Sequence, residues 1–421
     1  MRGPERQQEI YLGGVSGRKP RIPTDAVKLE EHAHKLLSEE AFAYIAGGAG
    51  AGRTMVANRD GFDAWHIVPR ILRDVGERDT SIELLGKPQE FPFVLSPIGV
   101  LEMADPQADL AVARAARATG TPMTFSNQAS KTMEECAREL GEEATRFFQL
   151  YWSTSNDLVE SFAGRAEACG CSAIAVTLDT TILGWRTHDL DLAYLPFLRG
   201  KGIAQYTSDP VFTRIISDAG EEIPDTPDPS PTPSAIKTLV ELARAYPDRF
   251  DRALTSGKAR AAVQAFVRVY SRPWLTWEDL GFLRERTSLP IVLKGILHPD
   301  DARRAVEEGM DGIWVSNHGG RQVDGAISTI AALPAIAEVV DGRIPIVMDS
   351  GIRTGADAFK AVALGATAVG LGRPYCYALA IAGEDGVREV IENFQADFDL
   401  TMGLSGCRSV AEIGPDSLVA A

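Results

Sequence analysis

One segment holds the residue types and the spacing for acid–base chemistry on an anion. It reads Ser316-Asn317-His318-Gly319-Gly320-Arg321-Gln322. Histidine is the natural general base near neutral pH. A guanidinium three residues on can grip a carboxylate through a planar fork. His318 and Arg321 thus form a base and a carboxylate anchor on one tight loop. Asp179, in Thr177-Leu178-Asp179-Thr180, can fix the imidazole tautomer and stabilise its protonated form. Arg186, in Gly184-Trp185-Arg186, offers a second guanidinium. Lys294, in the apolar run Pro290–Gly295 (PIVLKG), is costly to bury unless it faces negative charge. A Schiff-base lysine would explain Lys294 but not His318, Arg321 and the glycine loops together. His32, His34, His66, His188 and His298 have no comparable setting and read as surface or core.

Two further segments suit phosphate. They are Asp349-Ser350-Gly351-Ile352-Arg353-Thr354-Gly355 and Gly370-Leu371-Gly372-Arg373-Pro374. Glycines let backbone N–H groups approach an anion, and each segment adds an arginine. The alternative is two glycine-capped loops with surface arginines. The joint pattern favours a phosphorylated cofactor. No metal site is expected. Cys136, Cys169, Cys171, Cys376 and Cys407 form no CxxC pair, and no paired Cys/His ligands accompany them.

The elements that must position these groups are short apolar runs, each followed by a helical pattern. The runs are Phe91–Gly99, Pro122–Ser126, Arg146–Tyr151, Ala173–Thr180, Pro290–Gly295, Gly312–His318, Pro345–Gly351 and Ala366–Gly372. They lack strict alternation, as parallel strands buried on both faces do. Eight such units predict an α/β fold, a TIM (β/α)8 barrel. Five consecutive runs end in polar groups, which is the face where barrel enzymes keep their chemistry. A Rossmann sheet is the rival, but the cluster Gly47–Gly52 follows a helical pattern and lacks GxGxxG spacing. The expected organisation is an N-terminal helical extension over 1–90 and a barrel over 91–410. A lid-like insertion after strand four covers about 190–275. Its middle, Gly220–Ser234 (GEEIPDTPDPSPTPS), is acidic and proline-rich and predicts a mobile extended segment.

Composition narrows the class. The chain has 421 residues, 45% hydrophobic and 24% charged, which is a globular mix. Lys+Arg 43 against Asp+Glu 58 leaves a net charge of −15, which disfavours nucleic acid and anionic lipid as partners. No run of about 18 apolar residues occurs, so no membrane span is expected and the location is read as cytoplasmic.

Together, SNHGGRQ, DSGIRTG and GLGRP resemble the FMN-dependent L-2-hydroxy-acid oxidases, a family that includes glycolate and lactate oxidases. YIAGGAG, VPRIL, SPIGV, FFQLY, TLDT, PFLRG and DPVF are most similar to its lactate 2-monooxygenase branch. The resemblance runs from about Glu40 to about Arg408. It implies FMN as cofactor, a small 2-hydroxy acid and O2 as reactants, and a homo-oligomer, tetramer or octamer. It implies that His318 takes the substrate proton beside Asp179. Arg321, Arg186 and Tyr44 would hold the carboxylate, and Tyr151 would contact the hydroxyl. Lys294 would sit at the flavin N1/O2 edge. Pro97, Ile98, Gly99, Ser126, Gln149 and Thr177 would line the flavin. Ser316, Asp349, Gly351, Arg353, Gly372 and Arg373 would hold its ribityl and phosphate end.

The expected reaction is lactate plus O2 to acetate, CO2 and water. The alternatives are an oxidase releasing 2-keto acid and peroxide, a secondary-metabolism relative acting on a larger acid, or a non-redox FMN-barrel isomerase. Slow product release carries the monooxygenase reading. The insertion would act as a lid, and Gly99 would leave space beside the flavin where many relatives carry a methyl group. The chain departs from the family at Ala51-Gly52-Arg53, where acids are common. It departs again at Asn127-Gln128-Ala129-Ser130-Lys131, where a Ser/Thr-rich stretch is usual.

Overall fold

Eight parallel strands close on themselves in a computed structural model that describes residues 2–218 and 232–421. They are β1 (Phe93–Leu95), β2 (Met123–Phe125), β3 (Arg146–Tyr151), β4 (Ala173–Thr177), β5 (Ile291–Ile296), β6 (Gly312–Val315), β7 (Ile346–Met348) and β8 (Ala368–Leu371). Strand β8 pairs with β1, so the sheet has no edge. The predicted (β/α)8 barrel is therefore the observed fold.

Strands β4, β6 and β7 stop short of the apolar runs that announce them. The run to His318 leaves the sheet after Val315, and the run to Gly351 leaves after Met348. The cause is local. His318 and Ser350 adopt φ of 57° and 74°, which no strand can continue. The side chains of their polar neighbours Ser316 and Asp349 bond to one another across the barrel mouth.

The barrel interior is filled, not a pore. Val94, Phe147, Ala173, Ala175, Val292, Trp314, Val347 and Ala368 pack there, joined by Leu84 from the hairpin Ile82–Leu84/Lys87–Gln89. The first 90 residues carry helices at Gly3–Val15, Ala26–Leu36, Glu39–Ala46 and Arg53–Asp60. The first two pack along the long C-terminal helix Arg373–Leu404. Helix Glu39–Ala46 begins where the Ser38 hydroxyl accepts the Ala41 N–H, an N-cap that aims Tyr44 and the following glycines at the barrel mouth.

Between β4 and β5 the described chain is mostly helical, including Pro210–Asp218, Pro233–Ala245 and Lys258–Val269. The expected extended segment needs a correction at its end. Thr232 accepts the Ala235 N–H and Pro233 opens a helix, the usual cap-then-proline start. The rest of that segment, residues 220–231, lies outside the described residues. The helical parts are tied to the barrel by aromatic packing. Tyr206 meets Phe162 at 5.1 Å and Phe266 at 4.9 Å, and Phe197 meets Phe266 at 5.2 Å. Among the described residues no helix is long and apolar enough to cross a membrane, and no group of His, Cys, Asp or Glu could hold a metal.

Candidate active site

The candidate base and its partner come from just past the ends of β6 and β4. His318 Nδ1 lies 2.8 Å from Asp179 Oδ1. Nδ1 therefore carries the proton that it donates, and Nε2 keeps its lone pair. Nε2 has the Tyr151 hydroxyl 3.5 Å away. Asp179 can reach this place because Gly295 lies beneath it. A Cβ on Gly295 would stand 2.8 Å from Asp179 Cβ, and the backbone φ of 108° is one that side chains avoid.

Burial pushes the His318 imidazole below its ordinary value. Asp179 opposes this, while Lys294 and Arg186 add to it. For Asp179, burial alone would raise the carboxyl. His318 and Lys294 outweigh burial and hold it below the ordinary value. At neutral pH the site thus presents a neutral imidazole beside an ionised carboxylate. That is the state a general base needs.

Two guanidinium groups face the same space. Arg321 donates to the carbonyls of Tyr44 and Gly47, and its charge sits 4.9 Å over the Tyr44 ring. Arg186 donates to Gln322 Oε1 at 3.0 Å and to Arg321 O at 3.4 Å. Neither has a carboxylate within ion-pair distance among the described residues. Burial pushes Arg186 down to about 10, and the charge of Arg321 adds to the shift. Two adjacent cations, Arg186 buried and Arg321 half-buried, held only by neutral oxygens, suit an incoming carboxylate.

The floor is a row of buried hydrogen bonds. Ser126 donates to Gln149, and Gln149 donates to Thr177. Lys294 Nζ donates to Ser316 Oγ at 2.8 Å and lies 3.3 Å from Asp349. Ser316 in turn donates to Asp349 Oδ1. Asp349 already supplies part of the negative charge that a buried lysine requires.

A cavity of about 340 Å³ opens above this row. Tyr44, Tyr151, Arg186, His318 and Arg321 border one part of it. Pro97, Ile98, Gly99, Lys294 and Asp349 border it elsewhere, and Gly351, Arg353, Gly372 and Arg373 form one end. Ser126, Gln149, Thr177, Asp179 and Ser316 do not reach its surface. They stand behind it, hydrogen-bonded to groups that do or to one another.

The end with two arginines tests whether a phosphorylated cofactor fits. Arg373 donates to the carbonyls of Ile45, Gly319 and Gly47, and Arg353 to its neighbour Ile352. Among the described residues neither pairs with a carboxylate. Burial pushes Arg373 down to about 10 and Arg353 in the same direction. Recessed cations without counter-charge, beside glycine-rich backbone, are a seat for a dianionic phosphate.

One expectation fails. A methyl group at Gly99 would lie 2.9 Å from Gln128 O and 3.0 Å from Gln128 Cβ. The space beside Gly99 is filled by Gln128, so it is no channel for oxygen. Sequence reasoning also passed over Thr180 and an apolar wall from the insertion: Leu195, Phe197, Phe266 and Tyr270. Phe266 and Tyr270 are four apart, a spacing visible in the sequence, and their rings stack at 5.2 Å. That spacing does not say what the pair faces.

The sequence profile of the FMN-dependent dehydrogenases matches residues 33–420. This chain belongs to that family. It is similar to an FMN-dependent alpha-hydroxy acid dehydrogenase of Penicillium citrinum, 40% identical over 98% of this chain and 94% of the relative. It is 37% identical to the L-lactate oxidase of Lysinibacillus sphaericus (strain C3-41), covering 98% of this chain and 96% of the relative. Among solved structures, a mandelate oxidase superposes with a TM-score of 0.76 at 34% identity, covering 95% of this chain and 99% of that one. This FMN-dependent dehydrogenase is therefore an oxidoreductase acting on 2-hydroxy acids with FMN as its cofactor. Its recessed arginines fit the phosphate that such a cofactor brings.

Proposed function

We propose that this flavoenzyme oxidises a small L-2-hydroxy acid, with lactate as the reference substrate, and keeps the 2-keto product long enough for decarboxylation. Arg186 and Arg321 bind the carboxylate, with Tyr44 beneath Arg321. Tyr151 orients the substrate hydroxyl toward Nε2 of His318. His318 accepts the proton at Nε2, and Asp179 stabilises the resulting imidazolium. The anion seat at Arg353 and Arg373 would hold the FMN phosphate, and Lys294 would serve the redox ring. Bound FMN supplies the two-electron redox chemistry.

Dioxygen receives the two electrons, giving 2-keto acid and hydrogen peroxide. Peroxide formed beside retained pyruvate oxidises it to acetate, CO2 and water. The net change is lactate plus O2 to acetate, CO2 and water. The observation that supports retention is the apolar wall of Leu195, Phe197, Phe266 and Tyr270, which the insertion lays along the cavity. Product escape past a packed cover is often the slow step. The deciding assay is turnover of lactate in air without catalase. Acetate and CO2 in equal yield, without free peroxide, support the reading. Stoichiometric pyruvate and peroxide would refute retention and leave an oxidase.

A further inference from the structure

The Thr180 hydroxyl stands inside the hydrogen bond between base and carboxylate. Its Oγ1 lies 3.0 Å from Asp179 Oδ1 and 3.1 Å from His318 Nδ1. The third side, Nδ1 to the same Oδ1, is 2.8 Å. The Nδ1–H and the Thr180 O–H thus converge on one carboxylate oxygen. The other oxygen, Oδ2, is buried and has no partner among the described residues. Thr180 is itself 4% exposed and borders the cavity. Among the described residues its hydroxyl bonds to nothing beyond this pair. It is spent on the oxygen that polarises the imidazole.

We propose that Thr180 is a positioning residue that sets the basicity of His318 by donating to Asp179. This rests on the reading of His318 as the base. A donor on Oδ1 draws negative charge away from the Nδ1–H contact. The imidazolium is then less stabilised, so the base stays neutral further down the pH scale. The groups that face His318 are Asp179 after β4, Arg186 beyond it, Lys294 on β5 and Tyr151 on β3. Asp179 raises its proton affinity, while Lys294 and Arg186 lower it by charge alone. Thr180 is a neutral donor on the carboxylate itself, so it acts through the bond at Oδ1 and not through charge.

The test compares Thr180→Val, which keeps shape, with Thr180→Ser, which keeps the donor, as FMN-loaded enzyme. The readouts are the pH profile of kcat/KM for lactate, from anaerobic flavin bleaching, and an NMR titration of the His318 ring. In Thr180→Val the acidic limb and the ring titration should both move up by about one pH unit, the size of one lost bond to a charged group. Thr180→Ser should stay within a few tenths of the parent. Thr180→Ala substitutes for Thr180→Val if the latter does not fold. A limb that stays put, or moves down, in a folded variant lacking the hydroxyl would overturn the proposal. If the parent shows no limb, or His318→Gln keeps one, His318 is not the base and the proposal falls with it. Oxidation of other 2-hydroxy acids would then still be measured independently.

Discussion

Replacing Asp179 by Asn tests the base assignment most sharply, because it changes one charge and almost no volume. The backbone of Asp179 stays anchored, since Gln322 Nε2 donates to its carbonyl at 2.9 Å. The side chain therefore keeps its place 2.8 Å from His318 Nδ1. Two orientations of the amide follow. With its oxygen toward Nδ1, the bond survives but loses its charge. A bond to a charged partner contributes about 1.5–3 kcal/mol, against about 1 for a neutral one. The difference, about 0.5–2 kcal/mol, slows proton removal by roughly twofold to thirtyfold. With its NH2 toward Nδ1, the tautomer reverses and Nε2 carries the proton. The base is then blocked, and the loss extends toward the ~10⁴ limit of general-base catalysis.

The pH profile should move as well. Asp179 is the group that raises His318, so its removal drops the imidazole further below the ordinary value of 6.5. The acidic limb of kcat/KM should shift to lower pH. Anaerobic stopped-flow bleaching of the flavin measures the rate, and fluorescence titration measures FMN affinity. Affinity should be unchanged, because Asp179 does not reach the cavity end where Arg353 and Arg373 stand. A fall of less than about twofold, in a variant that binds FMN normally, would refute the role of Asp179.

In the parent enzyme, kcat/KM should hold its plateau below pH 6.5 before falling, since burial keeps His318 neutral there. An acidic limb centred at or above 7, read from initial rates in overlapping buffers, would contradict this. Arg353→Met and Arg373→Met should each weaken FMN binding by about tenfold to a hundredfold, through loss of charged bonds to the phosphate. Undiminished affinity of both in a fluorescence titration of apoenzyme would dissolve the anion seat. Phe266→Ala should lower unfolding free energy by about 3–5 kcal/mol, because the ring is fully buried among Phe197, Tyr206 and Tyr270. Urea titration with a change under about 1 kcal/mol would show that the insertion does not pack as described.

The barrel could be read from the chain because its signal is local and repeated. Parallel strands buried on both faces need continuous apolar runs, and the return path needs a helix, so the alternation recurs eight times. Residue chemistry was legible for the same reason. A histidine and an arginine around two glycines, or a glycine loop with an arginine, carry their meaning within seven residues. Strand ends were less legible. His318 and Ser350 leave the sheet through positive φ, a backbone state that the apolar pattern does not record.

What the chain could not disclose is whatever depends on distance across the barrel. Ser316 and Asp349 are 33 residues apart and meet in one bond. The gap at Gly99 is a matter of Gln128, which follows β2 and reaches back over it. Thr180 adjoins Asp179 in sequence, but its hydroxyl gains meaning only when β6 carries His318 to within 3.1 Å. The wall of Phe197, Phe266 and Tyr270 comes from a segment whose helical period shows that it packs, but not against what. Periodicity encodes which face is buried, because water decides that residue by residue. Which buried faces share a cavity is decided by strand order and closure, and only the folded barrel has those.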